Sequence, residues 1–323
     1  MTLQKSDLLD GFPVVVEEET YFRSTQSSLS RASTEGRSAL DISKNREAEA
    51  LKRLKERPVQ LPLWLDWEWA MPTILTRSAL FAPICHGHRQ WHNETIIESR
   101  SDAVLNYTGW QLDMSDADLF MVSLSLAKRH PLGFRFPVNR AHLLTAMGRA
   151  YERRLKSGRV SISGIGEKQY AWLNDAMERL RLASLKFEIR ETEKRKGRGG
   201  RFNLIHTWLW DNNENSYVLA IEPEIEKIFA NFSRIYIETH LSLPKTDQLA
   251  KWLHLYISGC AKRSLTRIGL QYLKKWSGNE HRRTDHFATA ARRALTNLEE
   301  KKVIAPGWFI RPGDYMVCFT KII

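Results

Sequence analysis

The 323 residues are 42% hydrophobic, enough for real cores, and the length suits two domains of ordinary size plus a tail. Lys and Arg number 49 against 37 Asp and Glu, a formal charge of +12 that favours a polyanionic partner, because basic side chains release counterions from phosphates. Three distant cysteines (Cys85, Cys260, Cys318) exclude a disulfide framework, Met1-Thr2-Leu3-Gln4-Lys5 lacks the apolar core of a signal peptide, and no apolar run nears about 18 residues, so a cytoplasmic protein without a membrane span is expected.

Residues 1–57 read as a mostly disordered, Ser/Thr-rich arm with an acidic patch at Glu17-Glu18-Glu19, closed by a short charged helix from Lys44 to Arg57 before Pro58. Residues 58–76 read as a linker with large apolar side chains, since Pro62 opposes both a helix and a central strand.

The first globular domain is expected over 77–215. Ile96–Ile97 and Val104–Tyr107 are β-type. Ser115-Asp116-Ala117-Asp118 resembles a capping box opening a helix to about Arg129, stopped by Pro131 and Gly133. A short helix, Asn139 to Met147, follows. Leu173, Ala176, Met177 and Leu180 give the buried stripe of a helix from Glu167 to Ala183. Leu185–Arg190 and Phe202–Trp210 then read as strands of a hairpin whose tip is basic.

The second domain is expected over 216–323. Tyr217–Ile221 and Arg234–Ile237 are β-type around a short helix at Pro223. Leu249, Trp252, Leu253 and Tyr256 mark one helix, Leu270–Trp276 a shorter one, and Phe287, Ala290, Ala291, Ala294, Leu295 and Leu298 the apolar face of a third, Thr284 to Glu300. Val303–Ile304, Trp308–Arg311 and Tyr315–Thr320 are β-type, with a turn at Pro312-Gly313-Asp314. Each domain thus reads helix, helix, hairpin. The fold class is α+β, with tandem winged-helix domains and a disordered N-terminal arm.

Charge clusters where a winged helix meets duplex DNA. The tip from Lys194 to Arg201 carries Lys194, Arg195, Lys196, Arg198 and Arg201 among glycines that let backbone approach a phosphate. The last helix offers Arg282, Arg283, His286, Thr289 and Arg293, types that read base edges or hold phosphates. The helix from Glu167 is of mixed sign, with Lys168 near its positive dipole end and Arg179 further along. Cys85-His86-Gly87-His88 with His92 lacks the second ligand pair that zinc needs, and Ser163-Gly164-Ile165-Gly166-Glu167-Lys168 lacks P-loop spacing. No metal, cofactor or catalytic constellation is expected, so the chain is read as non-enzymatic.

Three stretches resemble the TrfA-type replication initiators of broad-host-range plasmids. They are Met71-Pro72 with Thr76-Arg77-Ser78-Ala79-Leu80-Phe81; Tyr107-Thr108-Gly109, Leu112, Asp116–Asp118, Ala127-Lys128-Arg129 and Pro131-Leu132-Gly133; and Gln60-Leu61-Pro62-Leu63-Trp64. The likeness spans roughly 58–323. It implies binding to repeated origin sites (iterons), opening of an AT-rich segment, with single-stranded origin DNA as a further ligand, and recruitment of the host initiator and replicative helicase. It also implies a homodimer off DNA and a role in copy control. The pentapeptide resembles sliding-clamp ligands, with Gln60 at a pocket rim and Leu61, Leu63 and Trp64 as apolar anchors; the alternative is that these residues pack on the first domain. Asp285 and His286 stand where the family pattern has Lys, which implies a different iteron sequence. Two rivals remain: a winged-helix transcriptional regulator or autorepressor, and a nicking rolling-circle initiator resting on His86-Gly87-His88.

Overall fold

The computed structural model describes residues 59–84, 89–99, 103–155, 159–189, 198–211, 215–280, 282–311, 313 and 315–322. The N-terminal arm with its charged helix, the Cys85–His88 cluster, and Lys194, Arg195 and Lys196 lie outside them, as does the side chain of Arg198. The expected linker is not one. Glu68–Pro72 forms strand β1, followed by α1 (Thr73–Thr76), β2 (Phe81–Ala82), β3 (Trp91–Ile97), β4 (Ala103–Trp110) and β5 (Leu112–Asp113).

Helix α2 (Met114–Ala127) opens on a capping box two residues earlier than the sequence suggested. The Asp113 carboxylate accepts from the N–H groups of Ser115 (2.8 Å) and Asp116 (3.0 Å), and Asp116 accepts from the Asp113 N–H (3.0 Å). α2 is buried on nearly every side, which is why it shows no amphipathic stripe. Then come β6 (Phe136–Asn139), α3 (Arg140–Ala146), a hairpin of β7 (Tyr151–Arg154) and β8 (Val160–Ser163), and α4 (Glu167–Leu182). The expected stripe Leu173, Ala176, Met177, Leu180 is the buried face of α4. β9 (Ser184–Ile189), β10 (Arg198–Asn203), β11 (Ile205–Asp211) and β12 (Ser216–Ile221) follow.

The hairpin reading needs correction here. Phe202–Trp210 is not one strand: it breaks near Leu204 into β10 and β11. β10 pairs with β9 in a four-stranded sheet ordered β10-β9-β4-β3, whereas β11 pairs with β12 in a three-stranded sheet ordered β11-β12-β6. The wing of the first repeat is therefore β11–β12, and β9 and β10, which flank the basic run in sequence, belong to a separate sheet. β12, expected to open the second domain, closes the sheet of the first.

The second repeat contains α5 (Glu226–Phe229), β13 (Phe232–Tyr236), α6 (Ile237–Ser242), α7 (Gln248–Ser258), β14 (Leu265–Gly269), α8 (Leu270–Trp276), α9 (Thr284–Glu300), β15 (Phe309–Ile310) and β16 (Met316–Thr320). Its sheet is ordered β14-β16-β15, so β16 lies centrally as β12 does in the first. Helix, strand, two helices and an antiparallel hairpin recur: α2-β6-α3-α4-β11-β12 and α7-β14-α8-α9-β15-β16. This is a tandem winged-helix fold. Phe287, Ala290, Ala291, Ala294, Leu295 and Leu298 are buried as expected, each large apolar side chain contributing about 1.5–3 kcal/mol.

The two repeats share one compact unit from Gln60 to Ile323. β1 and β13, each followed by a short helix, pair antiparallel about Ala70↔Arg234. The Met71–Phe81 motif lies along this seam. Ser233 Oγ is 3.1 Å from Thr73 Oγ1 and 3.3 Å from Thr76 Oγ1, and Trp252 Nε1 donates to Ser78 O (3.1 Å). Gly109 of the second motif sits at φ +147°, and a Cβ there would meet the Tyr107 hydroxyl oxygen at 2.7 Å and the Ala183 backbone at 3.3 Å. That hydroxyl donates to Trp110 O (2.6 Å), so the glycine permits a buried tyrosine beneath the strand.

A buried polar chain also crosses the seam. Asp118 of α2 meets His240 Nε2 of α6 at 2.8 Å and Lys251 Nζ of α7 at 2.6 Å, and His240 Nδ1 lies 3.0 Å from His254 Nδ1. Burial alone would raise the Asp118 pKa, but Lys251 and His240 outweigh it and hold the carboxyl below its usual range. Burial lowers the pKa of His240, and of His254 strongly.

Candidate nucleic-acid interface

The third helix of each repeat is the element a winged helix lays in a major groove. On α9 the exposed face holds Thr284, Asp285, His286, Thr289, Arg292, Arg293 and Thr296, opposite the buried stripe. Arg282 and Arg283 stand exposed at its start. Arg283 Nη2 pairs with Asp285 Oδ2 at 2.8 Å, and Asp285 also accepts from the His286 N–H at 2.9 Å. That backbone hydrogen bond, helped by Arg283, lowers the Asp285 pKa, so the residue remains an ionised acceptor. The Thr289 hydroxyl donates to Asp285 O (3.1 Å).

Arg293 has a divided role. Its Nε donates to Asp247 Oδ2 (3.1 Å), yet its side chain is 66% exposed. Asp247 caps α7 by accepting from the Ala250 N–H (3.1 Å), so Arg293 ties α9 to α7. The sequence reading missed its neighbour Arg292, which is exposed and has no carboxylate within 4.0 Å among the described residues. Only the helical period, counted from Phe287, could have placed it on the outer face.

α4 presents a different surface. Lys168 is exposed as expected, but so are Glu167, Asp175 and Glu178. Arg179 is paired inward: its Nη2 lies 2.8 Å from Asp116 Oδ1, with Arg89 Nη1 at 2.9 Å on the other carboxylate oxygen. Asp116 is fully buried. Burial and neighbouring Asp113 raise its pKa against both arginines, and Arg179 is held inward as one of the cations compensating that charge.

Arg201 on β10 is exposed and paired with Glu94 on β3, within the four-stranded sheet. The wing of the first repeat presents aromatic rings: Trp210 is exposed, its ring centroid 5.1 Å from that of Trp208. The β7–β8 hairpin, unforeseen in the sequence, inserts immediately before α4 and exposes Arg153, Arg154 and Arg159. The run Tyr151-Glu152-Arg153-Arg154 was its one signal.

The pentapeptide is folded in. Leu61 and Trp64 are 3% and 6% exposed, and the Trp64 ring stacks on Phe229 (6.2 Å between centroids) and touches Phe232 (6.1 Å). Lys128 Nζ donates to Trp64 O (3.0 Å) and pairs with Asp66 (2.7 Å). Gln60 and Leu63 are exposed. Two of the expected clamp anchors are therefore core residues, and Trp64 packs against Phe229 and Phe232 of the second repeat and Lys128 of the first.

Fold and exposed helix face together define a tandem winged-helix protein with a cationic α9 surface. No family model and no curated protein matches the sequence. Among solved structures, a selenomethionine derivative of domains 2 and 3 of RctB is similar at a TM-score of 0.47 and 16% identity, over 78% of this chain and 99% of that one. A second RctB domain 2–3 structure gives 0.41 and 14%, over 75% and 95%. The Pi initiator protein in complex with iteron DNA gives 0.45 and 13%, over 65% and 89%. No helix among the described residues is long and apolar enough to cross a membrane.

Proposed function

We propose that this chain is a non-enzymatic replication initiator that binds repeated duplex sites at an origin through its two winged-helix repeats. The observation that carries this reading is the recurrence of one topology with a third helix in each copy, the second presenting Arg282, Arg283, His286, Thr289, Arg292 and Arg293 outward. Two such helices joined by a paired strand suit a site spanning successive major grooves. Arg and Thr supply direct readout there, and Asp285 suits a cytosine amino group. Opening of the origin and recruitment of host helicase and host initiator belong to the same reading. Trp210 on the first wing offers a stacking surface for an opened single strand. A sliding-clamp contact would first have to lift Trp64 off Phe229 and Phe232.

The test is binding to a repeat-containing origin duplex and to a scrambled duplex across a salt series. Tight, sequence-dependent binding that weakens steeply with salt supports the reading. Equal affinity for both duplexes overturns the iteron assignment.

A further inference from the structure

A cleft of about 450 Å³ lies between the repeats, lined by the start of α2, one flank of α4 and the start of α7. Its cations fall into two groups. Arg89 pairs with Asp113 and Asp116, Arg179 with Asp116, and Lys251 with Asp118, so three cations meet three carboxylates. Arg149 and Lys245 line the same cleft and have no carboxylate within 4.0 Å among the described residues. Arg149 holds its Cζ 3.4 Å above the centroid of Trp172 on α4, which fixes the plane of the guanidinium. Lys245 reaches across from the second repeat to donate to Gly148 O (3.1 Å), the carbonyl just before Arg149. Each repeat thus contributes to a shared place one cation with no carboxylate in direct contact, although Asp113, Asp116 and Asp118 act on Arg149 at longer range.

That place borders both third helices. Trp172 and Arg179 project from α4, and Asp247, between Lys245 and Gln248, holds Arg293 of α9. We propose that Arg149 and Lys245 form a phosphate seat for the DNA strand that passes between α4 and α9. The inference rests on the duplex-binding reading above. Stacking on Trp172 leaves the guanidinium edge available to phosphate oxygens, while Lys245 supplies a point charge. The half-buried setting of Arg149 strengthens its interaction, because the local dielectric is below that of water. Desolvation already lowers the Arg149 pKa, an unfavourable state that an incoming anion relieves. A backbone seat carries no sequence information; it sets the register in which α9 reads bases.

The variants are Lys245→Gln, an exposed position, and the double variant Arg149→Gln with Lys245→Gln. Both are measured against repeat-containing and scrambled duplexes over a salt series, after circular dichroism has confirmed the fold. The double variant is expected to lose about tenfold in affinity on both duplexes alike. The slope of log K against log salt should fall by about 0.9, one phosphate contact. Lys245→Gln alone should lose part of this with its melting temperature unchanged, so the proposal survives any misfolding of the double variant. Because the seat acts on any duplex, loss of iteron specificity in the unaltered chain would sink the proposed function while leaving this test intact. Unchanged affinity and slope in both variants overturn the seat. So does a loss confined to calorimetric binding of free ATP, which would make the cleft a small-molecule site.

Discussion

Arg179 and Arg292 show how little residue type says about role. Both are arginines on the third helix of a repeat, but Arg179 spends its charge on buried Asp116 and Arg292 has solvent before it. Replacing Arg179 with Met leaves Asp116 with Arg89 alone in a buried site. The expected cost is about 3 kcal/mol of stability, read by urea unfolding, with the salt slope of DNA binding in the folded protein unchanged. A lowered slope at unchanged stability would return Arg179 to the interface. On α9 the neighbours separate in the opposite sense. Arg292→Ala should weaken duplex binding about tenfold without moving the melting temperature. Arg293→Ala should lower both, because Asp247 loses the bond that ties α9 to the cap of α7. Equal melting shifts in the two variants would refute the division.

At the scale of elements, apolar periodicity carried most of what was legible. The stripes of α4 and α9 were readable because each helix has one wet face, and i, i+3, i+4, i+7 spacing records that asymmetry; α7 is buried on every side, and its stripe stood out only because the buried polar residues Lys251 and His254 interrupt the apolar run. α2 was located through its cap and its stop signals, since a helix buried all round leaves no stripe. Two errors share a cause: strand pairing is non-local and has little sequence signature. Nothing in Phe202–Trp210 reveals that the chain changes sheets near Leu204, or that β9 prefers β4 as a neighbour. Nor could the linker segment reveal that β1 pairs with a strand more than 150 residues away. The strands flanking the basic run do pair, as β9–β10, but that hairpin is not the wing, while β7–β8 went unseen. That hairpin yields its own prediction. Arg153 and Arg154 are exposed towards the tip of the hairpin that precedes α4 in the chain, so replacing both with Gln should lower affinity equally for specific and scrambled duplexes, with a shallower salt slope. A loss confined to the specific duplex would instead place these residues on bases.

For the whole molecule, the decisive property is the fixed relation between the two repeats, because two reading helices serve one site only if their spacing is held. The β1–β13 pair and the chain Lys251–Asp118–His240–His254 hold it. Neutral imidazoles satisfy the hydrogen bonds of that chain: with His240 Nε2–H donating to Asp118, its Nδ1 accepts from His254 Nδ1–H. Burial lowers both histidine pKa values, and the charges of Lys251 and Lys321 press His254 further down. In the unfolded chain both titrate near 6.5. Below that pH the unfolded state takes up protons that the folded state refuses, so stability falls with acidification; above it the contribution is constant. Asp118, its pKa lowered, adds stability that persists above the ordinary carboxylate range and is lost only under it. His254→Gln keeps an N–H for His240 but cannot titrate. Between pH 6.5 and 5 the unaltered chain should lose stability more steeply than this variant, by up to about 1.4 kcal/mol per pH unit, as measured by urea unfolding. His92 and His130 also have lowered values but are present in both proteins, so the difference isolates the seam. Parallel pH profiles for the two proteins would mean that His254 takes its proton in the folded state and that the strand pair alone sets the spacing of α4 and α9.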